Sequence, residues 1–373
     1  MINGLGTGGA ERSLAEMLEP ISRYGIKIFP VCLYPRDEGV ESDVMNAGYE
    51  VRFVGPPSLA ALFRLRDLIS ETRADVLHTT IFEADIIGRL ASIGSSMAVV
   101  SSIINTSYAV TKSQNPDLKR GKLALARVID GFTARHLNTR FHALTEVVAE
   151  AAVDALGIKK TSIDVIPRGR NRRRLGEPSL GRRREVRNAL GIAESTTVLL
   201  CVGRQEFQKG QVNAVEALAV LRSRRPNLLL LIAGRDGAAS DQLRRATVKL
   251  DLEDQVRILG HRHDVPDLMV AADLLTFPSL YEGFGGTLIE AMALDLSIVA
   301  SDLPAIREVT GDTVAFVTPG SFSALAVGIE DLLENDSRSR QLRQAGRDRF
   351  EKNFTIESTS KRMAAFYRAA LEL

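Results

Sequence analysis

The sequence contains little cysteine, little net charge and no long apolar run, and each shortage excludes a class of protein. Its two cysteines, Cys32 and Cys201, each lie inside an apolar run, which predicts buried thiols in a reducing compartment rather than a disulfide. A formal net charge of +2 over 373 residues is too small to indicate an anionic partner. The most apolar stretch, LLLLIAG at 228–234, has the length of a strand and not of a membrane span.

Targeting and metal-binding patterns are also lacking. The first residues, MINGLGTGG, show no basic segment followed by an apolar one, so no signal peptide is predicted and we expect a cytoplasmic protein. No Asp-x-Asp follows a predicted strand, and no cluster of histidines or carboxylates has the spacing of metal ligands. We therefore expect neither a metal nor a cofactor.

Short β-rich apolar runs alternate with helical patterns, which predicts βα units and parallel sheets. The runs are IKIFPVCLY, EVRFVG, ADVLHTT, AVVSSIIN and RFHALT, followed after residue 190 by TVLLCVG, NLLLLIAGR, QVRILG, ADLLTFPS and SIVAS. Between the two sets, residues 168–187 contain nine arginines, three glycines and a proline, which predicts a solvated linker. The fold class is thus predicted as α/β, with two Rossmann-like doubly wound domains facing each other across a cleft.

Charged residues follow two of the strands predicted in the second domain. Arg204 and Lys209 come after TVLLCVG, and Glu282 and Glu290 flank the glycine-rich turn of SLYEGFGGTLIEAMA. Because the carboxyl ends of parallel strands lie at one edge of a sheet, these two cations and two carboxylates can converge on one ligand. That ligand is predicted to be part anion and part polyol.

The glycine-rich turn suits a phosphate. Its glycines at 283, 285 and 286 let the backbone approach a ligand, and the helix beginning near Thr287 offers unpaired N–H groups and a positive dipole end. Arg204 and Lys209 add positive charge against a diphosphate. Glu290 can accept two hydrogen bonds from a vicinal diol such as a ribose. A diphosphate joined to a diol describes a nucleotide sugar.

These motifs resemble family 4 of the retaining glycosyltransferases, which have the GT-B fold. The matching stretches are VGRQEFQKG, the run DQVRILGHRHDVPDLMVAADLLTFPSLYEGFGGTLIEAMA, SDLPAIREV, and GTGGAER near the N-terminus. The resemblance covers the C-terminal half almost continuously and the N-terminal half loosely. It implies that Arg204 and Lys209 hold the donor diphosphate, that Glu290 binds the ribose and that Glu282 faces the transferred sugar.

The other site residues that the resemblance implies act through their backbone. Phe284, Gly285 and Gly286 would contact the sugar and phosphates, the backbone around Arg257 and Leu259 would hold the base, and Gly8 and Gly9 would lie near the donor phosphates and the acceptor.

The resemblance also implies a reaction. The family retains the anomeric configuration by front-face attack, in which the leaving diphosphate helps to deprotonate the acceptor hydroxyl and the cations stabilise the developing charge in place of a metal. The chain is therefore predicted to transfer a hexose from a UDP-, GDP- or ADP-sugar to a glycan or lipid-linked acceptor, in the synthesis of cell-surface polysaccharide or glycolipid. A catalytically silent sugar-nucleotide-binding protein of the same fold is the alternative.

Two other enzyme classes fit fewer of these residues. A glycosidase would use the two glutamates as acid and nucleophile or base, but it leaves Arg204 and Lys209 without a role. Residues 4–9, GLGTGG, match the G-x-G-x-x-G pattern of dinucleotide-binding dehydrogenases, but almost no strand precedes them, and no acidic residue ends the next strand.

Two basic segments have further interpretations. The arginine-rich stretch could contact nucleic acid, but it has no aromatic residue for base stacking, and we expect no nucleic-acid partner. The stretch KRGKLALARVIDGFTARHLNTR at 119–140 carries six Lys or Arg among apolar residues, which suits a peripheral contact with anionic lipid on the inner face of the membrane. An ordinary amphipathic helix explains that stretch equally well.

The sequence departs from the family pattern near the site. Asn105 stands where many relatives have a histidine that touches the transferred sugar, and asparagine cannot carry a proton at neutral pH. Asp295 and Ser297 replace the Gly and Pro that usually follow the second glutamate. Neither departure removes an expected diphosphate contact.

The domain boundaries follow from the same resemblance. We expect an N-terminal acceptor-side domain at 1–172 and a nucleotide-sugar domain at 173–354, with a helix at 355–373 crossing back to the first domain. Only Met1 and Ile2 precede Asn3 where relatives have a full first strand, so this strand is predicted to be truncated. The apolar face of the last helix is predicted to contain Ile356, Met363, Phe366, Tyr367 and Ala370.

Overall fold

The computed structural model describes residues 1–106, 108 and 120–372. The chain forms two compact units, which we call unit 1 (Met1–Asn171 with 353–372) and unit 2 (Arg172–Lys352). The boundaries lie one and two residues before those expected. Elements are numbered in chain order along the whole chain.

Unit 1 is built on parallel strands. Its two groups of strands have the orders β1-β2 and β3-β4-β5-β6, and Ile2 forms parallel bridges with both Cys32 and Thr80. The strands are β1 (Val31–Cys32), β2 (Arg52–Phe53), β3 (Val76–Thr80), β4 (Ala98–Ile103), β5 (Arg140–Ala143) and β6 (Ile163–Val165). The run IKIFPVCLY thus contributes only two strand residues, and β6 was not predicted because three residues are too few to show a periodicity.

Helices flank these strands. They are α1 (Gly9–Ser22), α2 (Glu41–Asn46), α3 (Leu59–Thr72), α4 (Phe82–Ala91), α5 (Arg120–Leu137), α6 (Glu146–Leu156) and, from the C-terminus, α16 (Ile356–Leu371). In the part of the chain that the structure describes, no helix is long and apolar enough to cross a bilayer.

The last helix belongs to unit 1. Arg170 donates its backbone N–H to the carbonyl of Phe354, and the N–H of Ile356 donates back to the carbonyl of Arg170. These bonds hold the start of α16 beside the end of the first chain segment. The apolar face of α16 is buried with Met17, Ile21, Val100 and Ile166, and it consists of Ile356, Met363, Phe366, Tyr367 and Ala370.

Unit 2 is a doubly wound α/β domain around a six-stranded parallel sheet of order β12-β11-β10-β7-β8-β9. Its strands are β7 (Thr197–Val202), β8 (Leu228–Ala233), β9 (Val256–Gly260), β10 (Leu274–Phe277), β11 (Ser297–Ser301) and β12 (Ala315–Val317). Its helices are α7 (Arg172–Leu175), α8 (Leu180–Ala189), α9 (Gln211–Leu221), α10 (Ser240–Lys249), α11 (Val265–Ala271), α12 (Gly286–Ala293), α13 (Pro304–Thr310), α14 (Phe322–Glu334) and α15 (Asp336–Asn353).

Burial in this sheet explains where polar chemistry can occur. All six residues of β8 and all four of β10 are buried, as expected for parallel strands covered by helices on both faces. Side chains within β8 and β10 therefore pack in the core. The ends of the strands are where polar residues become accessible.

The arginine-rich segment contains the boundary between the two units, as expected of a linker, but the prediction that it is solvated was wrong. Much of it is helical in α7 and α8, and Arg187 is fully buried. The Arg187 guanidinium donates to the carbonyls of Ala271, Ala193 and Thr196, and Arg183 pairs with Asp273 at 2.6 Å. Ala271 and Asp273 lie more than 80 residues further along the chain, so composition alone could not show that the arginines fasten α8 to α11.

Candidate functional site

The carboxyl edge of the unit 2 sheet is shaped by two glycines that the sequence reasoning did not single out. Gly203 follows β7 and Gly234 follows β8. A Cβ on Gly234 would lie 1.9 Å from the carbonyl oxygen of Gly203, so only glycine allows this approach. Two glycines directly after adjacent strands were the available sequence signal.

The loop after β7 places Lys209 against the loop after β10. Residues 207–209 form a short 3₁₀ helix that ends at Gly210, whose φ is 60°. A Cβ at Gly210 would lie 2.2 Å from the carbonyl oxygen of Pro278, so the two loops pack backbone to backbone. Gln208 fixes this contact, since its carbonyl accepts from Leu280 at 2.8 Å and its side chain donates to the carbonyl of Tyr281 at 2.9 Å.

Lys209 and Glu282 form an ion pair at this junction. The Lys209 ammonium donates to Oε1 of Glu282, which also accepts from the Ser279 hydroxyl at 3.3 Å. The Glu282 side chain is only 8% exposed, and a buried carboxylate needs such partners. The structure thus brings together two of the residues predicted for the site.

Arg204 is placed differently. Its side chain is 59% exposed, and its guanidinium lies 4.0 Å from the carboxylate of Glu206. An exposed pair at that distance contributes little, so the guanidinium can turn to an incoming anion at small cost.

The turn after β10 ends in a glycine-capped helix. Gly285 has a φ of 78° and precedes the first residue of α12, Gly286, without a side-chain cap. A Cβ at Gly285 would lie 2.8 Å from Cδ1 of Leu288 and 3.3 Å from the Phe277 ring. Phe284 is buried and anchors the turn. The start of α12 therefore has the backbone N–H groups and the positive dipole end that suit a phosphate.

Glu290 lies on the same helix and is only 4% exposed. It is four residues from Gly286, and residues at this spacing share a helix face. A carboxylate this deeply buried is desolvated, which strengthens any hydrogen bond that it accepts from a ligand.

The segment expected to hold a base lies on β9, at the edge of the sheet. The register between β8 and β9 shifts so that Ala233 pairs with Gly260, and this irregularity falls at Leu259. The side chain of Arg257 donates to the carbonyl of Leu190 at 2.7 Å, so this arginine ties β9 to the end of α8.

The two predicted glycines of unit 1 lie at the start of α1. Gly8 is the N-cap residue, and a Cβ there would meet the carboxylate of Glu11 at 2.4 Å. A Cβ on Gly9 would lie 2.8 Å from Nη1 of Arg168. Both contacts are with the movable ends of long side chains, so glycine allows close packing at these positions without being strictly required. Asn105 is exposed, two residues after the end of β4.

Potential metal ligands do not cluster in residues 1–106, 108 and 120–372. No group of three or more His, Cys, Asp or Glu in this part of the chain is arranged to hold a metal ion.

Comparison with known proteins places this geometry in a family. Residues 182–349 match the family described as glycosyl transferases group 1, and residues 8–169 match the glycosyl transferase 4-like domain. The chain belongs to the group 1 glycosyl transferases. Its fold is similar to that of Anabaena Alr3699/HepE in complex with UDP and glucose, with a TM-score of 0.85, 20% identity, and coverage of 98% of this chain and 99% of that chain. The GT-B fold predicted from the sequence is thus confirmed.

Curated relatives include two bacterial transferases. The lipopolysaccharide core biosynthesis mannosyltransferase LpsB of Rhizobium meliloti (strain 1021) is 30% identical over 195 residues, which cover 50% of this chain and 56% of LpsB. The UDP-Gal:alpha-D-GlcNAc-diphosphoundecaprenol alpha-1,3-galactosyltransferase of Escherichia coli is 23% identical over 288 residues, covering 74% of this chain and 72% of that protein. The chain spans about half the length of most of the first curated relatives that it matches.

Proposed function

We propose that this protein is a retaining, metal-independent glycosyltransferase that moves a hexose from a nucleoside-diphosphate sugar to a glycan or lipid-linked acceptor. The observation that carries the proposal is the Lys209–Glu282 ion pair at the strand ends of unit 2. The exposed Arg204 and the glycine-capped start of α12 belong to the same proposed site. LpsB and the diphosphoundecaprenol galactosyltransferase support an acceptor in cell-surface polysaccharide or glycolipid synthesis.

In this proposal, Arg204 and Lys209 neutralise the donor diphosphate. The bond between the anomeric carbon and the diphosphate oxygen breaks, and its electron pair stays on the diphosphate. The acceptor oxygen forms the new bond on the same face of the sugar, and its proton passes to the leaving phosphate oxygen. Cations placed where negative charge develops lower the barrier to such a reaction without a metal.

The carboxylates have separate roles in the proposal. Glu282, already oriented by Lys209 and Ser279, accepts hydrogen bonds from hydroxyls of the transferred sugar. Because Lys209 contacts Glu282, a single ammonium can link the sugar-binding carboxylate to the diphosphate. Glu290 accepts from the two ribose hydroxyls.

The remaining proposed contacts are made by the backbone. The backbone of Phe284, Gly285 and Gly286 contacts the sugar and phosphates, and the strand around Arg257 and Leu259 contacts the base. Gly8 and Gly9 contact the donor phosphates and the acceptor. The positive φ of Gly285 supports this assignment, since it turns the backbone into α12 and so sets the direction of the first N–H groups of that helix.

Asn105 stands where many relatives have a histidine, so the relevant alternative is a catalytically silent protein that only binds a nucleotide sugar. A turnover assay distinguishes the two. The purified chain is assayed with UDP-, GDP- and ADP-sugars and lipid-linked acceptors, and the anomer of the product is determined. We expect transfer with retention that EDTA does not abolish. Binding without any transfer or hydrolysis would favour the silent binder, and activity that EDTA abolishes and manganese restores would contradict metal independence.

A further inference from the structure

Helix α5 has an outward face that is apolar along its centre. Leu125, Val128, Ile129 and Phe132 are 63%, 67%, 40% and 58% exposed, and together they define what we call the α5 face. At 100° per residue these four side chains fall within one stripe of the helix. The face therefore presents large apolar groups that nothing in the described residues covers.

The opposite side of α5 fixes how the helix is held. Asp130 is buried and pairs with Arg89 at 2.7 Å, and it accepts from the hydroxyl of Tyr108 at 2.9 Å. Thr133 and Ala134 are buried beside it. These contacts anchor α5 to unit 1 and fix the direction of the α5 face.

The charges of α5 complement an anionic surface. Asp130 is the single carboxylate in the α5 sequence, and it is turned inward. The exposed Lys122 and Arg135 lie at the margins of the apolar stripe, near the two ends of the helix. The outward side of α5 therefore combines apolar groups with positive charge and no negative charge.

Helix α3 of the same unit provides a contrast. Leu59 and Phe63 are 76% and 58% exposed, so α3 also presents apolar groups. Its exposed side includes the carboxylates of Asp67 and Glu71. Exposed apolar groups are thus not specific to α5, but α5 combines them with cations and, unlike α3, has no exposed carboxylate.

We propose that the α5 face docks on an anionic lipid bilayer. A helix with an apolar stripe bordered by lysine and arginine lies in the interface plane, where its apolar side chains enter the headgroup region and its cations meet lipid phosphates. This inference goes beyond the proposed transferase activity and does not rest on it, because it uses only unit 1 and is tested by binding.

Sedimentation of the full chain with vesicles provides the first test. We expect the chain to bind phosphatidylcholine vesicles that contain phosphatidylglycerol, to bind pure phosphatidylcholine weakly, and to dissociate as salt is added. Replacing Leu125 and Phe132 together by Gln should weaken binding by about tenfold or more, because two buried apolar side chains are lost. The matched replacement of Leu59 and Phe63 by Gln should leave binding unchanged.

The lack of tryptophan in the sequence allows a second test. Phe132→Trp would introduce a single tryptophan, whose emission should shift to the blue with anionic vesicles, whereas the matched Phe63→Trp should not respond. Absence of wild-type binding to the anionic vesicles, or an equal response of both tryptophans, would overturn the proposal. It would also be overturned if the Leu125 and Phe132 changes abolished self-association of the chain but left vesicle binding intact, which would assign the face to a second copy.

Discussion

At the residue scale, the proposed chemistry depends on how four charged side chains are divided between binding and turnover. Lys209 is paired with Glu282, and Arg204 is exposed, whereas Glu290 is buried on α12. Groups that meet charge developing on the leaving diphosphate should affect the rate. A group that meets the ribose should affect the ground state and the transition state equally.

We expect Glu290→Gln to weaken nucleoside-diphosphate binding. A neutral amide replaces a charge-assisted acceptor, which costs about 1.5 to 3 kcal/mol, or about 10- to 150-fold in Kd. Titration calorimetry with nucleoside diphosphates measures the loss. Glu253→Gln, at an exposed position of the same unit, is the control and should bind normally. Unchanged affinity in the Glu290 variant would remove the ribose assignment.

We expect Lys209→Met to reduce kcat more than it raises KM. The ammonium acts on charge that develops as the diphosphate leaves, so its loss should lower kcat by about 100- to 1,000-fold. The exposed Lys249→Met provides a control for the loss of one charge. Since Glu282 loses a partner in the variant, its melting temperature is measured in parallel. A variant with normal kcat and a raised KM would make Lys209 a binding group only.

Sequence reasoning predicted which residues occupy the strand ends but not how they meet. Arg204, Lys209 and Glu282 follow apolar runs that are strands in the structure, so their positions at one edge followed from the parallel pattern alone. The Lys209–Glu282 pair joins loops 73 residues apart, and the approach of Gly203 to Gly234 depends on the pairing of β7 with β8. Such contacts arise from tertiary packing, which local periodicity does not encode.

At the element scale, the start of α12 depends on a backbone conformation that few residues adopt. Gly285→Ala should destabilise unit 2 by about 1 to 2 kcal/mol from the left-handed conformation, with a further penalty from the clash with Leu288. Gly191→Ala is the matched control, since Gly191 has a φ of 62° and open space around it. Urea denaturation of both variants measures the difference. Equal losses would show that α12 shifts to accept the new methyl group.

A buried hydrogen-bond chain joins α16 to the strands of unit 1. His142 Nε2 must donate to the carbonyl of Ile166, so its Nδ1 accepts from the Ser102 hydroxyl at 2.8 Å. Ser102 then accepts from Nε2 of His78, whose Nδ1 accepts from the Tyr367 hydroxyl at 2.6 Å. Each hydrogen bond in this series has one donor and one acceptor only if both imidazoles are neutral.

This series of buried hydrogen bonds predicts that acid reduces the stability of the folded protein. Burial lowers the pKa of His142 to about 4 and the pKa of His78 well below its usual value. The charged groups that act on His142 are Arg168, Arg362 and Asp164, and His142 itself lowers the pKa of His78. Between the unfolded pKa of about 6.5 and pH 4, the unfolded protein therefore binds more protons than the folded protein. As the pH is lowered through this range, the free energy of unfolding decreases by about 1.4 kcal/mol per pH unit for each histidine.

The pH dependence is checked by urea denaturation between pH 7 and pH 5. We expect the wild type to lose stability steadily below pH 6.5, and His142→Gln to show a shallower slope from a lower starting value. His136→Gln, at an exposed position on α5, should keep the wild-type slope. If the His142 variant keeps the wild-type dependence of unfolding free energy on pH, carboxylates rather than this series of hydrogen bonds govern the loss of stability in acid.

At the scale of the whole molecule, the order of the sequence and the division into units do not coincide. The chain leaves unit 1 after Asn171 and returns to it at Asn353. The apolar spacing of the last helix predicted its buried face, because a repeat of apolar residues about every 3.6 positions can be recognised within a short stretch of sequence. The family resemblance was needed to predict which unit that face covers, since a periodicity does not name its partner.

Two phenylalanines, one in each core, test this division. Phe366 on α16 and Phe350 on α15 are both buried and lie 16 residues apart in the sequence, in different units. Replacing a buried Phe by Ala costs about 3 to 5 kcal/mol through lost burial and the cavity that remains. Hydrogen exchange read by mass spectrometry shows which peptides lose protection.

We expect Phe366→Ala to raise exchange in peptides from residues 1–171 while peptides from 172–352 stay protected, and Phe350→Ala to do the reverse. The Phe366 effect reaches residues more than 260 positions away in the sequence because α16 completes that core with Met17, Ile21 and Val100. Because Arg204, Lys209 and Glu290 belong to unit 2, the Phe366 variant should keep most of its nucleoside-diphosphate affinity and lose only the contribution of Gly8 and Gly9 in unit 1. Loss of protection across both units in either variant would show instead that the molecule unfolds as one cooperative body.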